Sequence, residues 1–191
     1  MESALIIASS EKSFVSIAEL LRSHSIIDVI YARSCADGRK LLLNRSLDLV
    51  FINSPLQDES GENLARQIAI SEKSQVILAV KSEIYDEIAA TCEQDGVLTI
   101  AKPISRDMLR QSISMARTMH ARFLKAQAEN ESLKQKIEDI RTIDRAKNIL
   151  ISATRMSEHE AHRYIEKKAM DTRSSKRAVC ERIIHDYENG P

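Results

Sequence analysis

Hydrophobic positions in the first hundred residues fall into short unbroken runs separated by amphipathic stretches. Ala4-Leu5-Ile6-Ile7-Ala8 is apolar throughout, as a strand buried on both faces requires. Similar runs over 28–32, 47–52, 75–80 and 97–101 predict four more strands. Between them lie helical patterns: one through Phe14, Ile17, Ala18 and Leu21, one over 34–44, and one through Leu64, Ile68 and Ile70 after a loop with Pro55 and Gly61. A fourth covers 84–93. Strands alternating with helices at this spacing imply right-handed crossovers, so the expected fold is α/β, a doubly wound five-stranded parallel sheet covered on both faces.

The pattern then changes. Residues 105–145 contain neither Gly nor Pro, which predicts one long helix. Heptads with Leu109, Ala116, Phe123, Asn130 and Ile137 at a place Ser112, Met119, Ala126, Leu133 and Ile140 at d. The later heptads are the better formed. Asn130 at an a position favours a parallel two-stranded pair in fixed register. Glu129 at g and Lys134 at the next e are complementary, whereas Lys136 and Arg141 are like-charged, so the pair is expected to splay there. This reading predicts a homodimer with Phe123, Asn130, Leu133, Ile137 and Ile140 at its interface; the alternative is that the stripe packs only within its own chain.

Ile137, Ile140, Ala146, Ile149, Leu150 and Ala153 carry the helical stripe onward, with Arg141, Arg145, Lys147 and Asn148 mostly off it. Ser157 and Glu160 form a capping box, preceded by Met156, with Ala161 at the staple position. The helix it opens runs through Tyr164, Ile165, Lys168 and Ala169. A polar turn over 171–175 leads to a third helix through Val179, Cys180, Ile183, Ile184 and Tyr187, ended by Asn189-Gly190-Pro191. Three short helices make a small bundle, marginal alone and helped by a coiled coil. The expected organisation is an α/β domain over 1–120, a coiled-coil helix over 105–140, and a helical domain over 133–191.

Charge sharpens this division. The chain is neutral overall, with 28 basic and 28 acidic residues. From Arg141 onward, 11 Lys and Arg stand against 8 Asp and Glu, a net of +3, leaving 17 against 20, or −3, in the rest. An amphipathic helix with a basic remainder can pack on its neighbours and still offer charge to a polyanion. The three cysteines, Cys35, Cys92 and Cys180, are far apart and form no C-x-x-C pair, which argues against a disulfide framework or a zinc site. No apolar run reaches the ~18 residues of a membrane span, and no signal segment opens the chain. A cytoplasmic protein with no metal and no cofactor is expected. Few aromatics and no Trp leave little for base-stacking platforms of the sheet-based kind.

The strand order and spacing, with Lys102-Pro103 after the fifth strand, resemble the CheY-like receiver domain of bacterial response regulators over roughly residues 1–120. In that family an acidic pair and an aspartate bind Mg²⁺, the aspartate accepts a phosphoryl group, and a hydroxyl residue and a lysine contact that group. Those positions fall here on Ser9, Ser10, Asn53, Val80 and Lys102. Only the lysine is retained. An amide has neither the charge nor the nucleophilic oxygen to form an acyl phosphate, and two serines with an amide do not offset the dehydration of Mg²⁺. The position of a reporting aromatic aligns with Thr99. Glu11 and Asp58 could substitute as ligands, but are expected to be ordinary solvated loop carboxylates. The resemblance therefore implies a pseudo-receiver controlled, if at all, by a regulatory protein or small-molecule partner.

Ala146-Lys147, Leu150, the 156–161 segment, Ala169-Met170, Arg173, Val179 and Ile183-Ile184 resemble the ANTAR domain over about residues 133–187. Asn148 replaces the usual Gly, and Ile151 follows Leu150 where Met is usual. The resemblance implies a transcription antitermination regulator. In that family, dimers hold two successive stem-loops of a nascent leader RNA and so prevent an overlapping terminator hairpin. The expected RNA contacts are Arg141, Arg145, Lys147 and Asn148, with Lys167, Arg173, Lys176 and Arg177 around the last turn. Ala146 would contribute by being small, or by helix packing. Met156, Tyr164, Ile165, Val179 and Ile183 are expected in the core.

Two other classes compete. A DNA-binding transcription factor would explain a receiver followed by helices, but Glu181, Asp186 and Glu188 make the last helix a poor major-groove reader. A dimeric adaptor that binds only protein would need none of the basic residues. An enzyme is disfavoured, because His24, His120, His159, His162 and His185 form no ligand or nucleophile pattern with the cysteines and are expected at the surface.

Overall fold

The computed structural model describes residues 1–71 and 74–189, and the expected helix stop at Gly190-Pro191 lies outside them. The chain divides into two compact units, residues 1–124 and 125–191. The first is a five-stranded parallel sheet in the order β2-β1-β3-β4-β5, formed by β1 (Ser3–Ala8), β2 (Asp28–Ala32), β3 (Leu49–Asn53), β4 (Gln75–Lys81) and β5 (Leu98–Lys102). This is the expected doubly wound α/β sheet, with strand ends shifted by one or two residues.

Alternating residues of each strand enter two separate cores. Ala4, Ile6, Leu49, Phe51 and Ile77 face α1 (Glu11–Ser23) and the start of α5 (Arg106–Thr154). Leu5, Ile7, Val50, Ile52 and Leu78 face α2 (Cys35–Asn44), α3 (Glu62–Ser71) and α4 (Tyr85–Cys92). Each fully buried Leu, Ile or Phe contributes ~1.5–3 kcal/mol relative to exposure, which is why the strands read as unbroken apolar runs. Two glycines permit close approach. A Cβ on Gly38 would stand 2.5 Å from Ile7 Cδ1, and one on Gly61 (φ +86°) would stand 2.8 Å from Ile52 Cγ2.

Helix α5 runs for 49 residues, past Arg145 to Thr154, so the first helix of the C-terminal unit is its final part. The first two heptads do not form a free seam. Leu109, Ser112 and Ala116 are buried, and Leu109 and Ala116, with Ile113, close the sheet of their own chain. The stripe emerges at Met119 and continues through Phe123, Leu133, Ile137 and Ile140, all exposed in the single chain, as is Asn130. The reason is geometric: a helix that must first cover a sheet commits its apolar face to that sheet, and only the length beyond the sheet edge can meet something else.

In the second unit, the end of α5 packs with α6 (Glu158–Asp171) and α7 (Lys176–Asn189) around Ala146, Leu150, Ala161, Ile165, Ala169, Val179 and Cys180. The three alanines let the backbones approach closely. Arg155, at φ +57°, ends α5, and the Ser157–Glu160 capping box opens α6 as expected. Arg173, at φ +49°, turns the chain into α7, whose first turn Ser175 caps through Ala178 N–H. Among the described residues, no helix is long and apolar enough to cross a membrane.

Candidate functional site

Two regions carry the candidate residues, one in each unit. In the first, the carboxyl ends of β1, β3, β4 and β5 bring the receiver positions together at one edge of the sheet. Asn53 is the last residue of β3, in register with Ala8 on one side and Ala79 on the other. Ser9 and Ser10 follow β1 and are exposed; Ser10 caps α1 by accepting from Ser13 N–H at 3.4 Å. Val80 is fully buried in the core against α2–α4, so the hydroxyl position holds packing rather than chemistry. Thr99 is also buried.

Lys102 ends β5, and its ammonium donates to the backbone carbonyl of Ser54. Its pKa lies below the ordinary lysine value because burial disfavours the charged form and Lys81, on the adjacent strand, adds like charge. The half-buried Asn53 amide has no side-chain hydrogen-bond partner among the described residues. The edge thus offers an ammonium and an amide, with no carboxylate in place of the acidic pair or the acceptor.

Asp58 departs from expectation. It is no idle loop carboxylate: its two oxygens accept from Cys35 N–H at 3.1 Å and Ala36 N–H at 3.0 Å, capping α2 from another loop. Burial opposes its ionisation, but these bonds outweigh that and hold its pKa below the usual range. Glu59 beside it pairs with both terminal nitrogens of Arg39, at 2.5 and 2.9 Å. Cys35, Asp58 and Glu59 could be mistaken for a metal triad, since their ligand atoms lie within 4.8 Å of one another. Burial, with Asp58 and Glu59 adding to it, pushes the Cys35 thiol up to about 11, and both carboxylates are already engaged. The cluster reads as a helix cap. Glu11 is an exposed residue in the first turn of α1.

In the second unit the basic residues divide into two sets. Lys147 bridges Asp144 at 3.0 Å and Glu158 at 3.1 Å, and its side chain is only 16% exposed. Arg145 pairs with Glu188, Lys176 with Glu166 at 2.6 Å, and Arg177 with Asp139 at 2.9 Å and Glu181 at 2.7 Å. Hydrogen bonds donated to these carboxylates raise the pKa of Lys147 and of Arg177. By contrast, Arg141, Lys167 and Arg173 are exposed and have no ion-pair partner among the described residues, and Asn148 is exposed. Arg155, Arg163 and Arg182 are further exposed cations, unpaired among the described residues, that the sequence pattern did not single out. Only the pairing of their neighbours distinguishes them.

Ala146 is fully buried among Leu150, Ile165 and Cys180, which places it in helix packing. Tyr164, expected in the core, is 38% exposed, while Ile165 and Val179 are buried and Met156 and Ile183 pack against the core from its edge. Among the histidines, His120 alone is buried rather than at the surface.

Comparison with known proteins places these two regions. Residues 131–184 match the ANTAR domain. Over the first unit, the fold is that of receivers: a two-component response regulator from Clostridium difficile (TM-score 0.54, 16% identity, 62% of this chain and 97% of that one) and a CheY-like receiver domain from Methylobacillus flagellatus (TM-score 0.53, 21% identity, 61% and 98%). The chain thus carries an ANTAR domain at residues 131–184, behind a first unit that has the fold of a receiver. Along most of its length it is similar to the transcriptional regulatory protein PdtaR of Mycobacterium tuberculosis, at 23% identity over 168 residues, 88% of this chain and 82% of that protein.

Proposed function

We propose that this protein is a dimeric, RNA-binding transcription antiterminator whose receiver-like domain is not phosphorylated and answers instead to a bound partner or ligand. The observation that carries the reading is the ANTAR match over 131–184, laid on three packed helices whose outer surface carries Arg141, Asn148, Lys167 and Arg173 without side-chain partners among the described residues. Exposed loop bases can be read by such side chains, phosphates supply salt-dependent affinity, and two linked domains on two linked hairpins gain from effective concentration. The absence of a carboxylate at Ser9, Ser10 and Asn53 supports the second half of the reading.

Dimerisation is proposed through the part of α5 beyond the sheet, where Phe123, Leu133, Ile137 and Ile140 present an apolar stripe around Asn130. The test is binding to a two-hairpin leader RNA, a single hairpin and duplex DNA at one fixed salt concentration. The reading requires tightest binding to the two-hairpin RNA, weakened by Arg173→Ala in a variant that still folds. Equal or tighter binding to DNA overturns it in favour of a DNA-binding transcription factor.

A further inference from the structure

A groove of about 760 Å³ runs along the first unit from α1 to the end of β5 and the start of α5. Its titratable lining is Lys12, Lys102 and Arg106, against a single carboxylate, Glu19. Among the described residues, none of Lys12, Arg106 and Glu19 has an ion-pair or side-chain hydrogen-bond partner, so the groove is positive and its charges are unspent. Lys102 is the most telling. Its half-buried ammonium meets only the neutral carbonyl of Ser54, and the charge that bears on it is that of another lysine. A desolvated cation without a counter-charge is costly, and an anion that displaced water there would relieve it. Asn53 also lines the groove, with an amide free to donate, and Leu20 and Ile104 give it an apolar wall. Its volume is in the range of small-molecule sites, roughly 300–1,000 Å³.

We propose that this groove binds a small organic phosphate, held non-covalently without a metal ion, with the phosphate on Lys102, Asn53 and Arg106 and the carbon body along Leu20 and Ile104. This rests on the reading of the first unit as unphosphorylated, and names the ligand class to which it answers. No covalent step is involved: the lost aspartate is replaced by a ligand that brings its own negative charge.

The test uses the full chain. Its unfolding temperature is followed with inorganic phosphate, adenosine monophosphate and phosphoenolpyruvate, each against sodium chloride at equal ionic strength. At least one organic phosphate should raise the midpoint beyond the salt control and beyond inorganic phosphate. Lys102→Gln should weaken that binding by about tenfold to a hundredfold, the worth of a charge-assisted hydrogen bond. Arg106→Ala, at an exposed position, guards against a Lys102 variant that fails to fold and should also weaken it, whereas Glu19→Gln should tighten it. No rise with any phosphate, or a rise indifferent to all three substitutions, overturns the proposal. A shift with inorganic phosphate alone reduces the site to a simple anion site and also overturns it. Intact-mass measurement after incubation with an acyl-phosphate donor and Mg²⁺ separates the two levels: a phosphoryl adduct overturns the unphosphorylated reading itself, while an unchanged mass leaves that reading standing whatever the groove does.

Discussion

Nε2 of His120, on α5, lies 3.5 Å from Oδ1 of Asp48, and the imidazole is almost wholly buried. The other carboxylate oxygen of Asp48 accepts from Glu2 N–H at 2.6 Å and Ser3 N–H at 3.1 Å, so one aspartate ties the start of β1 to the helix that covers the sheet. Burial holds the His120 pKa below its ordinary 6.5, against the pull of Asp48, and its Nδ1 has no partner. The folded state therefore keeps this imidazole neutral where the unfolded chain would protonate it. Stability is unaffected above pH 6.5 and falls as pH drops below that value, by no more than about 1.4 kcal/mol per pH unit. Asp48, whose pKa is depressed by its hydrogen bonds despite burial, adds a loss only below its ordinary 3.8. Denaturant titrations between pH 7 and 5 should show the first slope, and His120→Leu should flatten it. An unchanged slope would assign the effect elsewhere.

Asp58→Ala should destabilise the first unit by about 1 kcal/mol, the worth of a helix cap, although the residue is exposed and belongs to a different loop from α2. Urea unfolding gives the number. A change within error would mean that water caps α2 equally well.

Gly61→Ala forces a side chain into a left-handed conformation and against Ile52 Cγ2. A loss of about 1–3 kcal/mol is expected, measured the same way. Gly96 has a similar φ of +82° but open space around it, so Gly96→Ala should cost less.

Ile137→Asp should convert the proposed dimer into a monomer in light scattering while leaving the circular dichroism of both units intact, because Ile137 is 51% exposed in the single chain. A monomeric parent protein would end the dimer proposal.

On two-hairpin RNA, Arg141→Ala, Lys167→Ala and Arg173→Ala should each lower the slope of log affinity against log salt by roughly 0.7–0.9, one phosphate contact apiece. Lys176→Ala and Arg177→Ala should change it less, since Glu166, Asp139 and Glu181 already neutralise those cations. The reverse ranking would show that the ion pairs open on binding.

The chain's own order of residues determined the elements and which residues stand at the ends of β1 and β3. A buried strand needs an unbroken apolar run, a capping box needs Ser157 and Glu160 three apart, and the loss of carboxylates at Ser9, Ser10 and Asn53 is visible without coordinates. Each of these depends on residues a few positions apart, where periodicity and local hydrogen bonding act. Tertiary structure alone decided which apolar residues of α5 were spent on the sheet, because Leu109 and Phe123 share a heptad position but only Leu109 has a sheet beside it. It also decided that Asp58 caps a helix 23 residues away and that His120 is buried against Asp48. Finally, it decided which cations are free. Arg177 and Arg173 look alike in sequence, yet one is held by Asp139 from 38 residues away and the other faces solvent, since charge pairing across helices follows from packing and not from spacing along the chain.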